Sequence, residues 1–311
     1  MIKLAGLPDN WSAMDIPDLS GKRILITGAT SGIGLAAAIE LARCNAHVII
    51  TARSSVKGET AAEKIGDGSI EVLIMDLTDL ASVRKAAETV TLPVDVVILN
   101  AGVMATPFAK TVDGFELQMG TNHLGHFAFA GLIKNNIKER LVVVSSFAHK
   151  LGNFGDGTLD KIREIALGTG KYQKWQAYGA SKLANLLFVE EVERLRVQNN
   201  WSFIPITVHP GYADTNLQSV GAQLRGNRSE ERATKYINKV LAQPASQGAL
   251  PTLAASVIPE LAGGSFIGPN GFMQMRGFPR LTRAKALAYD PVLAKNLWQV
   301  SQELTDVSWA S

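Results

Sequence analysis

The chain has 311 residues, about two domain-lengths at ~150 residues each and equally one large α/β unit. Apolar residues make up 46% and charged ones 19%, a globular balance that builds a sizeable core and excludes global disorder. The formal charge of +3 comes with no basic stripe to follow a nucleic-acid backbone, and the lone cysteine, Cys44, excludes both a disulfide scaffold and a multi-cysteine metal cluster.

The opening MIKLAGLPDNW is interrupted by Pro8 and Asp9 and does not read as a signal peptide. The best later apolar stretch, Val94 to Met104, contains Asp95, Asn100 and Gly102 and falls short of the ~20 residues of a membrane span. The expectation is a soluble, cytoplasmic protein with no membrane anchor and no nucleic-acid partner. Six short β-branched runs follow: Arg23 to Thr27, Ala46 to Thr51, Ile70 to Met75, Val94 to Leu99, Arg140 to Ser145 and Phe203 to Val208. Their near-continuous Ile, Val and Leu predict strands covered on both faces, the signature of a parallel sheet between helices. Helix-start residues lie between them, Ser54/Ser55 before VKGETAAEKI and Asp79 before LASVRKAAETV.

Alternating strands and helices of this length predict an α/β fold, a doubly wound (Rossmann) parallel β-sheet with helices on both faces and binding at the carboxyl ends of the strands. With no linker to divide it, the chain reads as an N-terminal extension (1–19) and one catalytic domain (20–311). Two regions interrupt the rhythm, 147–176 and 211–244, and both follow strands where loops commonly shape substrate pockets.

The first strand runs into Gly28-Ala29-Thr30-Ser31-Gly32-Ile33-Gly34 and then a helix. Glycines at such a turn let the backbone approach a pyrophosphate and let the helix N-terminus face its charge. The spacing is GxxxGxG and departs from the common GxGxxG fingerprint. The second strand ends Thr51-Ala52-Arg53. An Arg in the place where an acid would hold a ribose 2′-OH favours NADP over NAD, the alternative being an exposed surface Arg. Asp76 is placed either to take the adenine amino group or to cap the next helix.

Tyr178-Gly179-Ala180-Ser181-Lys182 opens a stretch of helical spacing, which puts Tyr178 and Lys182 on one face. An ammonium beside a phenol stabilises the phenolate and makes the pair an acid/base candidate. Asn100-Ala101-Gly102 ends the fourth strand, Asn122 sits in TNHLGHF, Ser145-Ser146 ends the fifth strand, and Pro210-Gly211 follows the sixth.

Taken in order from Leu19 to about Phe272, these motifs resemble the short-chain dehydrogenase/reductase superfamily. LNAGVM, NHLGHF and SSFAHKLG are similar to its retinol-dehydrogenase and protochlorophyllide-reductase-like branch. WSAMDIPDLSGK and GPNGFMQMRG are similar to that branch's soluble bacterial members. The resemblance implies that Ser146 hydrogen-bonds the substrate oxygen, Tyr178 is the acid/base, Lys182 lowers its pKa and holds the ribose, and Asn122 positions a relay water. It implies a cofactor lining of Gly28, Thr30, Ser31, Gly32, Ile33, Gly34, Arg53, Asp76, Leu77, Asn100, Ala101, Gly102, Tyr178, Lys182 and Pro210, Gly211 through Thr215. It also implies a homodimer or homotetramer packed through the Tyr-bearing helix.

The expected function is an NADP-dependent interconversion of a carbonyl and an alcohol on a fairly apolar small molecule. The alternatives are C=C reduction with the same Tyr/Lys pair, and a nonenzymatic NADP-sensing protein. His123 and His126, three apart without a carboxylate or thiolate partner, read as helix packing and not as a metal site. Leu151, Phe154, Trp175, Tyr212, Leu217 and Leu224 suggest an apolar pocket. Phe266, Phe272, Met273, Met275 and Phe278 suggest either a substrate cover, a subunit contact or core.

Overall fold

The computed structural model describes residues 7–66, 68–212 and 243–309. All six expected strands form: β1 (Arg23–Ile26), β2 (His47–Ala52), β3 (Ile70–Ile74), β4 (Val94–Leu99), β5 (Ile137–Val144) and β6 (Ile204–Val208). Side chains alternate across a pleated strand. Leu25, Ile49, Val97, Leu99, Leu141 and Val143 therefore enter one apolar layer, while Ile24, Ile26, Val48, Ile50, Val96, Ile98, Val142 and Val144 enter the other. Both layers are buried, which is why the sequence runs are continuous rather than alternating.

Two further strands extend the sheet, β7 (Phe266–Pro269) and β8 (Pro279–Leu281), giving the order β3-β2-β1-β4-β5-β6-β7-β8. Only the β7–β8 pair is antiparallel. The order reverses between β1 and β4. Ligands bind at such a switch point, and the Gly28 turn and the Asn100–Gly102 segment both lie there.

One layer holds α1 (Gly32–Arg43), α2 (Ser55–Ile65) and, later in the chain, α8 (Ala245–Val257). On α1 the buried residues Gly34, Ala37, Ala38, Leu41 and Ala42 recur at helical spacing. Trp11, Ile16 and Leu19 are buried in this layer too, so the N-terminal extension packs as part of the core from Leu7 onward.

The opposite layer holds α3 (Leu80–Thr89), capped by Asp79 as expected, and then a helical run in three pieces. These are a single turn α4 (Leu117–Met119), a π-turn over Gly120–Leu124, and α5 (Gly125–Leu132). Next come α6 (Leu159–Leu167), α7 (Lys174–Asn199) and α9 (Pro291–Thr305). Helix α6 lies inside the region read as an interruption. Its Thr158 cap and buried Ile162 and Ala166 make it an ordinary amphipathic helix packed beside α9, with Arg163 paired to Glu303 at 2.7 Å.

Helix α7 is buried without a break from Tyr178 to Val189. Its outer side is covered by α9 and by Trp309, in a cluster with Phe127, Phe188 and Trp298 whose ring centroids lie 5.0–6.1 Å apart. Lys134 Nζ donates to the Trp309 carbonyl at 2.8 Å and Arg84 to the Thr305 carbonyl at 2.7 Å, fastening the end of the chain. A second copy packed on the Tyr-bearing helix, as the resemblance implied, would have to displace this cover.

Trp309→Ala removes a fully buried indole and should cost about 3–5 kcal/mol. Urea unfolding measures it, and a loss below about 1 kcal/mol would mean that the cover contributes little.

Candidate active site

The turn after β1 is held to the end of β4 by side chain and backbone together. Gly28 has φ +68°, and a Cβ there would sit 2.8 Å from both Cα and Cβ of Ala101. This glycine is therefore required by turn-to-strand packing as well as by any ligand. Thr27 Oγ1 accepts the N–H groups of Asn100 (2.9 Å) and Ala101 (3.0 Å), and Asn100 Nδ2 donates to the Thr27 carbonyl at 2.9 Å.

Ser31 stands at the N-cap of α1, yet its side chain makes no capping bond. The first N–H groups of α1 thus have no side-chain acceptor there, which suits a ligand phosphate. Thr30, Ser31, Gly32 and Ile33 are part-buried along this turn, and Gly34 is buried. Arg53 is exposed just beyond β2, with no acid in its place. The residues present fit a nicotinamide dinucleotide.

Asp76 does not cap α3, since Asp79 does so by accepting from Ala81 and Ser82 N–H. Asp76 Oδ1 instead accepts from the Thr78 N–H and hydroxyl, at 2.9 and 2.8 Å. Leu77 is buried beside it. Pro210 and Gly211 follow β6, where a Cβ on Gly211 would lie 2.4 Å from the Met275 carbonyl oxygen. Thr215, Leu217 and Leu224 lie outside the described residues.

The two adjacent serines separate cleanly. Ser145 is buried and donates to the Lys182 carbonyl at 2.7 Å. Ser146 caps the short turn Phe147–Leu151 by accepting from Ala148 N–H. That turn meets α7 through two glycines. A Cβ on Gly152 would lie 2.2 Å from the Gly179 oxygen, so neither position has room for a side chain.

Tyr178 is buried, and burial pushes its pKa up to about 12, against a pull downward from Ser146. Lys182 Nζ is 5.9 Å from the phenol ring centroid and donates to the Val144 carbonyl at 3.1 Å, which also accepts from Asn185 Nδ2 at 3.1 Å. Burial pushes the Lys182 pKa down to about 8. In the chain by itself, desolvation outweighs the expected lowering of the tyrosine pKa by the lysine.

Asn122 lies in the π-turn. Its side chain is held by three bonds: Oδ1 accepts the Val103 N–H at 2.8 Å, and Nδ2 donates to the Val103 carbonyl and to Ser181 Oγ, both at 2.9 Å. A Cβ on Gly102 would fall 2.9 Å from Asn122 Oδ1 and 3.5 Å from Lys182 Nζ, which brings the fourth-strand segment, Asn122 and Lys182 to one place. Thr27, Ser181 and His126 complete this framework and were not singled out as site residues. A hydroxyl at the end of an otherwise apolar strand run is the signal that could have marked Thr27.

Trp175 is 47% exposed, with its ring centroid 6.3 Å from that of Tyr178. Leu151 is exposed as well, but Phe154 belongs to the core and lines no pocket. Phe266 is core within β7, and Phe272 and Met273 are exposed. Among the described residues no group of His, Cys, Asp or Glu is arranged to hold a metal, and no helix is long and apolar enough to cross a membrane.

A doubly wound sheet with a phosphate-ready turn, and a Ser, Tyr and Lys gathered at its carboxyl end, defines a dinucleotide-binding α/β protein. The chain belongs to the short-chain dehydrogenase/reductase family, in its retinol-dehydrogenase-like branch. Residues 22–158 match the short chain dehydrogenase family profile. Human retinol dehydrogenase 11 is 34% identical over 92% of this chain and 86% of its own length. Mouse retinol dehydrogenase 14 is 38% identical over 64% of this chain, a match spanning 63% of that relative. A crystal structure of an uncharacterized protein from Mycobacterium paratuberculosis is 38% identical, with a TM-score of 0.81 covering 97% of this chain and 100% of that one. A short chain dehydrogenase from Burkholderia cenocepacia, in complex with NADP, shares the fold at 21% identity and a TM-score of 0.60, covering 80% of this chain and 96% of its own.

The depressed lysine pKa has a stability consequence. Below pH 8 Lys182 is charged both folded and unfolded, and folding carries the full burial penalty, on the order of 3 kcal/mol. Between pH 8 and 10.5 the folded chain sheds the proton first and the penalty fades. Lys182→Met should accordingly raise the melting temperature of the cofactor-free protein by a few degrees at pH 7, with the gain vanishing above about pH 10.5. Thermal melts across this range test it, and a lower melting temperature at pH 7 would contradict the burial argument.

Proposed function

We propose that the protein is an NADP-dependent oxidoreductase that interconverts a carbonyl and an alcohol on a fairly apolar small molecule. The observation that carries this reading is the buried Tyr178 phenol, one helical turn from Lys182 on α7, whose pKa Ser146 at the carboxyl end of β5 draws downward. The bound cofactor supplies or accepts the hydride, and the positive charge of its oxidised ring favours a phenolate nearby.

Within this reading Ser146 hydrogen-bonds the substrate oxygen and Tyr178 exchanges a proton with it. At neutral pH the high tyrosine pKa keeps the phenol protonated, the state needed to reduce a carbonyl. Lys182 holds the ribose side of the site and the Asn122 backbone oxygen orders the relay. Gly28, Thr30, Ser31, Gly32, Ile33 and Gly34 line the pyrophosphate, and Arg53 pairs with the 2′-phosphate. Asp76, Leu77, Asn100, Ala101, Gly102, Pro210 and Gly211 line the rest of the cofactor.

The apolar substrate class is supported by Trp175, half-exposed beside Tyr178. The names of the relatives point the same way: the retinol dehydrogenases, and the zebrafish (Danio rerio) polyprenol dehydrogenase, 33% identical over 92% of this chain and 87% of its own length, are all named for long apolar alcohols. A homodimer or homotetramer would use a face other than α7, because α9 and Trp309 already cover that helix.

NADPH oxidation with all-trans-retinal and with a panel of aliphatic aldehydes, ketones and enones tests the activity, and product analysis separates carbonyl from C=C reduction. Tyr178→Phe should lower turnover by at least about a hundredfold while NADPH still binds; retained turnover would sink the acid/base assignment. Arg53→Ala should weaken NADPH by about tenfold or more and leave NADH nearly unchanged. Equal losses in the two dissociation constants would refute a 2′-phosphate contact.

A further inference from the structure

His123 and His126 are both fully buried beside Asn122, and neither belongs to the acid/base set just described. Burial keeps both rings neutral, with pKa values pushed down to about 4 and about 3, and the nearby Lys182 charge works in the same direction on His126. A neutral imidazole has one donor and one acceptor nitrogen, and its partners decide which is which.

His126 Nδ1 lies 3.1 Å from the Asn122 carbonyl oxygen, which can only accept, so the proton sits on Nδ1. Nε2 is then an acceptor and takes the Thr27 hydroxyl at 2.8 Å. Thr27 Oγ1 in turn accepts from the Asn100 and Ala101 N–H groups. Every bond in this chain donates in the same direction, from the end of β4 through Thr27 and His126 to the Asn122 carbonyl. Aligned bonds of this kind polarise and stiffen one another in a low-dielectric interior.

His123 has different partners. Ser301 Oγ donates to the Leu297 carbonyl at 2.7 Å, so it accepts from His123 Nε2–H at 2.9 Å. The two rings are opposite tautomers: His123 fastens the helix to α9, and His126 fastens it to the strand ends where the cofactor lies.

We propose that His126 is a positioning residue, which fixes the Asn122 backbone oxygen in register with the Thr27, Asn100 and Ala101 turn so that the proton relay beside Lys182 keeps its geometry. The role rests on the oxidoreductase reading above. Val103 and Ser181 hold the Asn122 side chain, and His126 Nδ1–H is the side-chain donor that holds its backbone oxygen.

The experiment compares His126→Phe, His126→Gln and His123→Asn in the full chain, with decanal and all-trans-retinal as carbonyl probes. His126→Phe should lower kcat by about tenfold or more, leave KM for the carbonyl within about twofold, and shift the pH midpoint of kcat. His126→Gln, whose amide can donate to and accept from the same two groups, should restore kcat to within about threefold of the parent. His123→Asn should lower the melting temperature with little change in kcat or in its pH midpoint. A His126→Phe variant with unchanged kcat, or one whose loss merely follows its loss of stability as in His123→Asn, overturns the proposal. If His126→Phe does not fold, Thr27→Val cuts the same chain one bond earlier and is judged by the same criteria. A 15N-histidine spectrum of the parent protein needs no turnover: an Nδ1–H tautomer for His126 supports the assignment and Nε2–H refutes it. Absence of turnover in the parent with every carbonyl would instead count against the oxidoreductase reading, and the spectrum would still decide the tautomer.

Discussion

The enclosure of α7 is the constraint on which the site depends. From Tyr178 to Val189 every residue is buried, because the sheet lies on one side and α9 with the Trp309 cluster on the other. A helix buried all round is normally apolar all round. This one carries a phenol, an ammonium, a hydroxyl and an amide, and each polar group must therefore be answered by protein. The Val144 carbonyl answers Lys182 and Asn185, and the Tyr178 carbonyl answers Ser181. The same enclosure drives the phenol and ammonium pKa values in opposite directions, so stability and chemistry are set by one packing decision.

A second consequence is that almost no site residue acts through its side chain alone. Ser145 and Ser146 are neighbours on the chain, yet one anchors the backbone of α7 and the other caps the turn that follows β5. Asn122 is held through its amide by Val103 and Ser181 and through its backbone oxygen by His126. Thr27 ties two strands together through a single hydroxyl. Such a framework tolerates little displacement, because a buried donor or acceptor that loses its partner costs about 1–3 kcal/mol.

Much of this was legible in the sequence. The first six strands could be read because most of them are buried on both faces and rich in Ile, Val and Leu; β3, at the sheet edge, is the exception, with Glu71 and Ile74 exposed. The glycine turn, the NAG segment, the serine pair and the Tyr/Lys spacing are local patterns, and the fold brings them to one end of the sheet. β7 and β8 were not legible, since four residues ending in Gly-Pro and three beginning with Pro carry no periodicity. Helix α6 was hidden by the glycines that flank it. The aromatic and sulfur residues read as one group divide between core and surface, Phe266 inside β7 and Phe272 exposed. The engagement of Asn122 and the tautomers of the two histidines depend on partners distant in sequence, and no spacing rule reports them.

The π-turn at Gly120–Leu124 bears on how this chain can change. It accommodates an additional residue in the helical run, and π-turns of this kind recur at functional positions. Deleting a single residue there would leave a more regular α-helix, which on propensity grounds is the better helix. Because a π-turn absorbs its extra residue locally, α5 beyond it would keep its face and His126 its place beside Thr27. The backbone that would be rebuilt is that of the turn itself, where Asn122 meets Val103, Ser181 and His126. Length in this segment is therefore held through one residue: a shortening that improves the helix dismantles the site at Asn122.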